Sequence, residues 1–117
     1  TWLGWFAQAE NYDGYLRWAY NSWTLDPLTD ARFRTWPAGD CFVVYPGGRG
    51  SVHLAKLTEG IQDFEKVRIL RAQWQKDGDE TKLSQLAEIL KPFTSVKILE
   101  EGPTKALTTA KSFLDRQ

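Results

Sequence analysis

A chain of 117 residues is long enough for one ordinary domain around one core. Hydrophobic residues make up 42% and charged residues 26%, a globular balance that excludes a disordered polar tail. The 15 basic residues match the 15 acidic ones, so net charge supplies no attraction to nucleic acid or to an anionic membrane.

No run reaches the ~18 apolar residues of a membrane span. The lone cysteine, Cys41, has no partner for an internal disulfide. With one cysteine and one histidine, His53, a four-ligand zinc site cannot be built, and neither a metal nor a cofactor is expected. Cys41 opens the apolar run "CFVVY" and reads as a buried, inert thiol. The chain has no methionine and starts directly on the apolar "TWLGWF", so it is expected to be a piece of something longer.

In chain order, Trp2, Leu3, Trp5, Phe6 and Ala9 recur at helical spacing and predict a helix over about 2–10. Asn11, Asp13 and Gly14 end it. "YLRWAY" is rich in β-formers and predicts a strand over about 15–20, apolar on both faces and therefore covered on both sides. Residues 22–40 hold two prolines and alternating charges, and predict an ordered loop with one helical turn near 30–33. "CFVVY" predicts a second strand over about 41–45, of the continuous apolar kind found in buried parallel sheets. "GGRGS" reads as a flexible link. Leu57, Ile61, Phe64, Val67, Leu70 and Trp74 then form one stripe of a helix over about 58–75. Leu83, Leu86, Ala87 and Leu90 mark a helix over about 80–91, and Ala106, Leu107, Ala110, Phe113 and Leu114 a last one over about 103–115.

This order is α/β. Two strands with a long crossover fit the C-terminal end of a (β/α)8 barrel, with residues 1–117 forming a single partial domain. Two strands make a poor sheet by themselves. Their open edges call for the remainder of a parent chain or for self-association.

Five linked motifs, "RWAYNSW", "DPLTD", "RFRTWPAGD", "VYPG" and "EGIQDFEK", occur in this order between Trp2 and Leu70. Together they resemble the C-terminal part of the catalytic domain of glycoside hydrolase family 123, a group also described as a domain of unknown function. The resemblance implies a (β/α)8 parent barrel. It implies a bacterial protein with a retaining exo-β-N-acetylgalactosaminidase-like activity on glycans, in which the sugar's own acetamido oxygen attacks the anomeric carbon. An adjacent aspartate and glutamate would assist, as an exception to the usual two-carboxylate scheme. That dyad belongs to an earlier strand, so this chain by itself is expected to hold no catalytic residue. Asp79-Glu80 has the right letters but opens a helix, where acids favour the N-terminus; Glu100-Glu101 reads as a solvated pair. Where the family carries an arginine and then an acid, this chain has His53 and Ala55, so an ion pair that would pin the last helix to the barrel is missing. A secreted or periplasmic compartment is the resemblance's lean, and no residue of the chain shows it.

Barrel enzymes bind ligands at C-terminal strand ends. That points to Tyr20, Asn21 and Trp23 after the first strand, and to Tyr45 and Arg49 after the second, as contacts for a terminal N-acetylhexosamine. A sugar needs an aromatic face and well-placed polar groups. Trp23 is the candidate platform, while Trp5, Trp18 and Trp36 read as packing. Asp26, Asp30, Arg32, Arg34 and Asp40 read as a structural network that orders the loop, partly buried. The alternatives are a non-catalytic carbohydrate-binding module using the same residues, or a protein-interaction module. Interleaved acids argue against nucleic-acid binding.

Overall fold

The computed structural model describes residues 1–32, 36–37, 41–95, 98 and 102–117. Among the described residues, four α-helices and one two-stranded antiparallel hairpin run in the order α1 (Trp2–Ala9), β1 (Val44–Tyr45), β2 (Arg49–Gly50), α2 (Val52–Asp77), α3 (Glu80–Leu90) and α4 (Thr104–Leu114). The chain divides into two units, Thr1–Gly14 with Leu57–Gln117, and Tyr15–Lys56.

The first unit is helical. Its core gathers Trp5, Val67, Trp74, Leu86, Leu90, Phe93, Ile98, Ala110, Phe113 and Leu114. Of the expected stripes, Trp5 of α1, Leu86 and Leu90 of α3, and Ala110, Phe113 and Leu114 of α4 pack in this core, while Leu3 and Ala87 are exposed. Trp5 stacks on Phe93 at 5.6 Å, and Trp74 meets Phe113 edge-on at 6.0 Å. Helix α1 ends in a Schellman turn. Tyr12 N–H reaches back to the Ala7 carbonyl at 2.8 Å, and Asn11 takes the left-handed conformation at φ 56°. The apolar contact that accompanies this motif is Phe6 against Tyr12, at 5.8 Å. Helix α3 starts at Asp79, whose carboxylate accepts the Lys82 N–H at 3.0 Å. Asp79-Glu80 thus caps a helix, as the sequence indicated.

Helix α2 begins at Val52, five residues before its apolar stripe starts at Leu57. Ser51 Oγ accepts the Leu54 N–H at 3.0 Å and donates to the Val43 carbonyl at 2.5 Å. This cap fixes the helix start without the ion pair that His53 and Ala55 cannot make. The buried face of α2 carries Gly60, Asp63, Val67 and Trp74, while Ile61 of the predicted stripe is exposed. Gly60 is there because α1 passes against it. A Cβ on Gly4 would sit 2.0 Å from the Gly60 carbonyl oxygen, and one on Gly60 would sit 2.9 Å from the Thr1 carbonyl oxygen. Asp63 accepts from Trp5 Nε1 and from Lys111 Nζ, each at 3.0 Å, while Gln8 Nε2 donates to the Phe64 carbonyl. The "EGIQDFEK" motif is thus a clamp that holds α1 and α4 on α2.

In the Tyr15–Lys56 unit the structure corrects both predicted strands. Residues 15–20 form no strand, and Tyr15, Leu16, Trp18 and Tyr20 are exposed. A strand apolar on both faces needs cover on both, and this unit supplies none. The 41–45 strand shrinks to Val44–Tyr45, and its partner is antiparallel: Val44 opposes Gly50, and Tyr45 opposes Arg49. Gly47 and Gly48, at φ 73° and 71°, turn the chain back on itself, so "GGRGS" is a hairpin rather than a link. Cys41, Phe42 and Val43 are buried, and the Cys41 thiol is free, as expected. A helical turn lies at 26–30, with Asp30 N–H bonded to the Asp26 carbonyl at 2.9 Å, while the turn expected near 30–33 runs into residues outside the described ones. Phe33, Arg34, Asp40, Glu100 and Glu101 lie outside the described residues.

Candidate functional site

The Tyr15–Lys56 unit places the predicted sugar contacts on two segments that run antiparallel. Val43 N–H donates to the Tyr20 carbonyl at 2.9 Å, Ser22 N–H donates to the Cys41 carbonyl at 3.1 Å, and Asn21 bridges Phe42. Three consecutive buried residues, Cys41 to Val43, anchor this pairing, which leaves Asn21 and Tyr20 at the exposed edge.

Trp23 lies one step further along. Its indole N–H donates to the Val44 carbonyl at 2.7 Å, and the residue stays 39% exposed. The polar end of the ring is thus satisfied and fixed, and part of its apolar face meets solvent. A held, half-open indole suits C–H contact with a ring-shaped ligand at little entropic cost. Tyr45 packs edge-on against Phe42 at 5.1 Å and is half-buried. Arg49 is exposed, and its guanidinium reaches the Pro46 carbonyl only at 3.5 Å. The structure therefore brings Tyr20, Asn21 and Trp23 alongside the 42–45 segment, with Arg49 across the hairpin from Tyr45.

Trp18 and Trp36 are not core. They are 57% and 48% exposed, with ring centroids 5.6 Å apart and a 47° tilt. The sequence signal for this was available. Trp36 stands next to Pro37 in a stretch with no apolar period, and Trp18 lies in a predicted strand whose partner would have to come from elsewhere.

The loop acids separate into two local sets. Asp26 accepts Thr29 Oγ1 at 2.6 Å and closes its own turn. Asp30 takes a two-pronged contact from Arg32, with Nε at 2.8 Å and Nη2 at 2.9 Å, and also accepts the Arg32 N–H at 3.0 Å. Both side chains of this pair are well exposed, and Arg34 and Asp40 of the expected network lie outside the described residues. The Arg32 side-chain hydrogen bonds, then its backbone hydrogen bond, lower the Asp30 carboxyl from 3.8 to about 2. A lowered folded pKa means that the pair is intact above pH 3.8 and is lost as pH falls through about 2. An NMR titration should show Asp30 titrating well below an ordinary aspartate, and the Arg32→Gln variant should return Asp30 toward its ordinary value.

His53 is exposed on the first turn of α2. Among the described residues, no group of three or more His, Cys, Asp or Glu side chains could hold a metal ion. No helix among them is long and apolar enough to cross a membrane.

Residues 1–70 match the family model of the glycoside hydrolase 123 catalytic domain. That span contains Tyr20, Asn21, Trp23, Tyr45 and Arg49, and the Gly60–Asp63 part of the helix clamp. No curated protein matches the chain.

Proposed function

The chain belongs to the glycoside hydrolase 123 catalytic-domain family, and from that premise we propose that it is part of a retaining exo-β-N-acetylgalactosaminidase-like enzyme. The family implies a glycan substrate. In this reading the chain is a single partial domain, the last strands and closing helices of a (β/α)8 barrel. Tyr20, Asn21, Trp23, Tyr45 and Arg49 contact the terminal sugar. The aspartate and glutamate that assist the acetamido group lie outside this chain, which is inactive by itself. The observation that carries the reading is the family match over 1–70. Its support in the fold is the placement of Trp23 and Asn21 alongside the 42–45 segment, with the indole held by Val44.

The six tryptophans give six indole N–H signals, which makes NMR the direct assay. N-acetylgalactosamine should shift the Trp23 signal, galactose should shift it less, and Trp23→Ala should weaken binding by about tenfold, the equivalent of ~1.4 kcal/mol. The chain alone should release no aryl leaving group from an aryl β-N-acetylgalactosaminide. Turnover by the chain alone would overturn the placement of the dyad outside it. A sugar titration that moves no indole signal would overturn the contact assignment.

A further inference from the structure

A second cleft, unrelated to the sugar contacts, opens in the helical unit. It encloses about 530 Å³, within the ~300–1,000 Å³ of small-molecule sites. Leu83 and Leu86 of α3 give it an apolar side, and Asn11, Gln75 and Thr94 supply hydrogen-bonding groups. Its cations are Arg71 of α2 and Lys91.

Arg71 is half-buried, and its guanidinium makes one long hydrogen bond, from Nη1 to Asn11 Oδ1 at 3.4 Å. Among the described residues no carboxylate pairs with it. Burial lowers its pKa, with no opposing carboxylate to raise it. A guanidinium taken partly out of water with most of its five donors uncommitted is an unfinished arrangement. The cleft's other charges cancel: Lys91 Nζ lies 3.3 Å from Glu88 Oε1. One uncompensated positive charge remains, in a planar fork.

We propose that this cleft binds a small monocarboxylate carrying hydroxyl groups, of the uronic-acid or hydroxy-acid class, with its carboxylate on Arg71. The guanidinium fork matches a planar carboxylate through two parallel hydrogen bonds. Asn11, Gln75 and Thr94 serve the hydroxyls, and Leu83 and Leu86 face the C–H surface. A phosphate dianion fits less well, because Glu88 shares the cleft and no second free cation balances the extra charge. Arg71 and the α3 residues lie beyond the matched 1–70 span, so the site does not rest on the hydrolase reading.

The test is a titration of the full chain with galacturonate, galactose and inorganic phosphate, followed by NMR and calorimetry. Galacturonate should bind and shift the Arg71 Nε–H signal, a readout that needs no variant. Galactose, which lacks the carboxylate, should leave the Arg71 signal in place. Arg71→Gln should weaken galacturonate binding at least tenfold, the loss expected for charge-assisted hydrogen bonds, while Trp23→Ala should leave it unchanged. Thr94→Ala, at an exposed position, should reduce binding to a smaller degree. Equal binding of galactose and galacturonate, phosphate binding as tight as galacturonate, or loss of binding in Trp23→Ala would each overturn the proposal. So would an Arg71 signal that stays fixed throughout the galacturonate titration.

Discussion

Gly4→Ala should destabilise the chain by about 3 kcal/mol, at the upper end of what over-packing costs. The new Cβ would lie 2.0 Å from the Gly60 carbonyl oxygen and 2.7 Å from its carbon. Both of those atoms are backbone inside α2, so no rotamer change relieves the contact. Helix α1 must lift away, and Trp5 and Ala7 on its buried face must loosen with it. Alanine is the better helix former by roughly 1 kcal/mol, which offsets only part of the loss. Gly14→Ala is the control. A Cβ there meets nothing within 4 Å, and its backbone is not left-handed. Urea unfolding of the two variants separates the readings: Gly14→Ala should stay within about 0.5 kcal/mol of the parent chain. If Gly4→Ala unfolds at the same urea concentration as Gly14→Ala, α1 does not lie on Gly60 as described.

The same contact shows what the sequence revealed and what it hid. Helices α1, α3 and α4 were legible because their apolar residues recur at helical spacing and each packs one face. The stripe of α2 misled at one position. It named Ile61 and passed over Gly60 and Asp63, because a glycine and an acid do not register as core. Yet Gly60, Asp63, Val67 and Trp74 fall on one face. A glycine kept inside a long helix that does not break there is itself a sign of close backbone approach. The early start of α2 was hidden because Ser51 acts through a side-chain cap and Val52 to Ala55 carry no stripe. The hairpin was hidden because pairing sense is set by the turn. Gly47 and Gly48 bring Arg49 back onto Tyr45, a geometry that the apolar run "CFVVY" does not encode. For the candidate site, strand-end reasoning selected Tyr20 to Trp23 and Tyr45. It did not foresee that Trp23 is held by Val44. That bond depends on two segments 21 residues apart meeting in register, which periodicity along one segment cannot report.

Asp63→Ala should cost about 3 kcal/mol, and the reason lies in what it strands. Asp63 is buried and accepts both the Trp5 indole N–H and the Lys111 ammonium at 3.0 Å. Without it the indole donor is left in the core with no acceptor. Lys111 retains Glu59, whose Oε1 lies 2.6 Å away and whose Oε2 accepts the Thr1 hydroxyl. That remaining pair, on a side chain still 34% exposed, keeps the loss below the upper limit for breaking a buried ion pair. Lys111→Met should cost less, about 2 kcal/mol, because Asp63 keeps the Trp5 donor. The double variant should lose less than the sum of the two, since each single change already breaks the shared contact. Burial works to lower the Lys111 pKa, but the hydrogen bonds and charges of Glu59 and Asp63 outweigh it and raise the value above 10.5. With a raised folded pKa, the stabilisation is complete below pH 10.5 and is lost as pH climbs through the folded value. The parent chain should therefore lose stability in strongly alkaline buffer by a step that Lys111→Met lacks. Strict additivity of the two substitutions, together with identical alkaline profiles for the parent chain and Lys111→Met, would remove the ion-paired clamp and leave apolar packing as what holds α4 on α2.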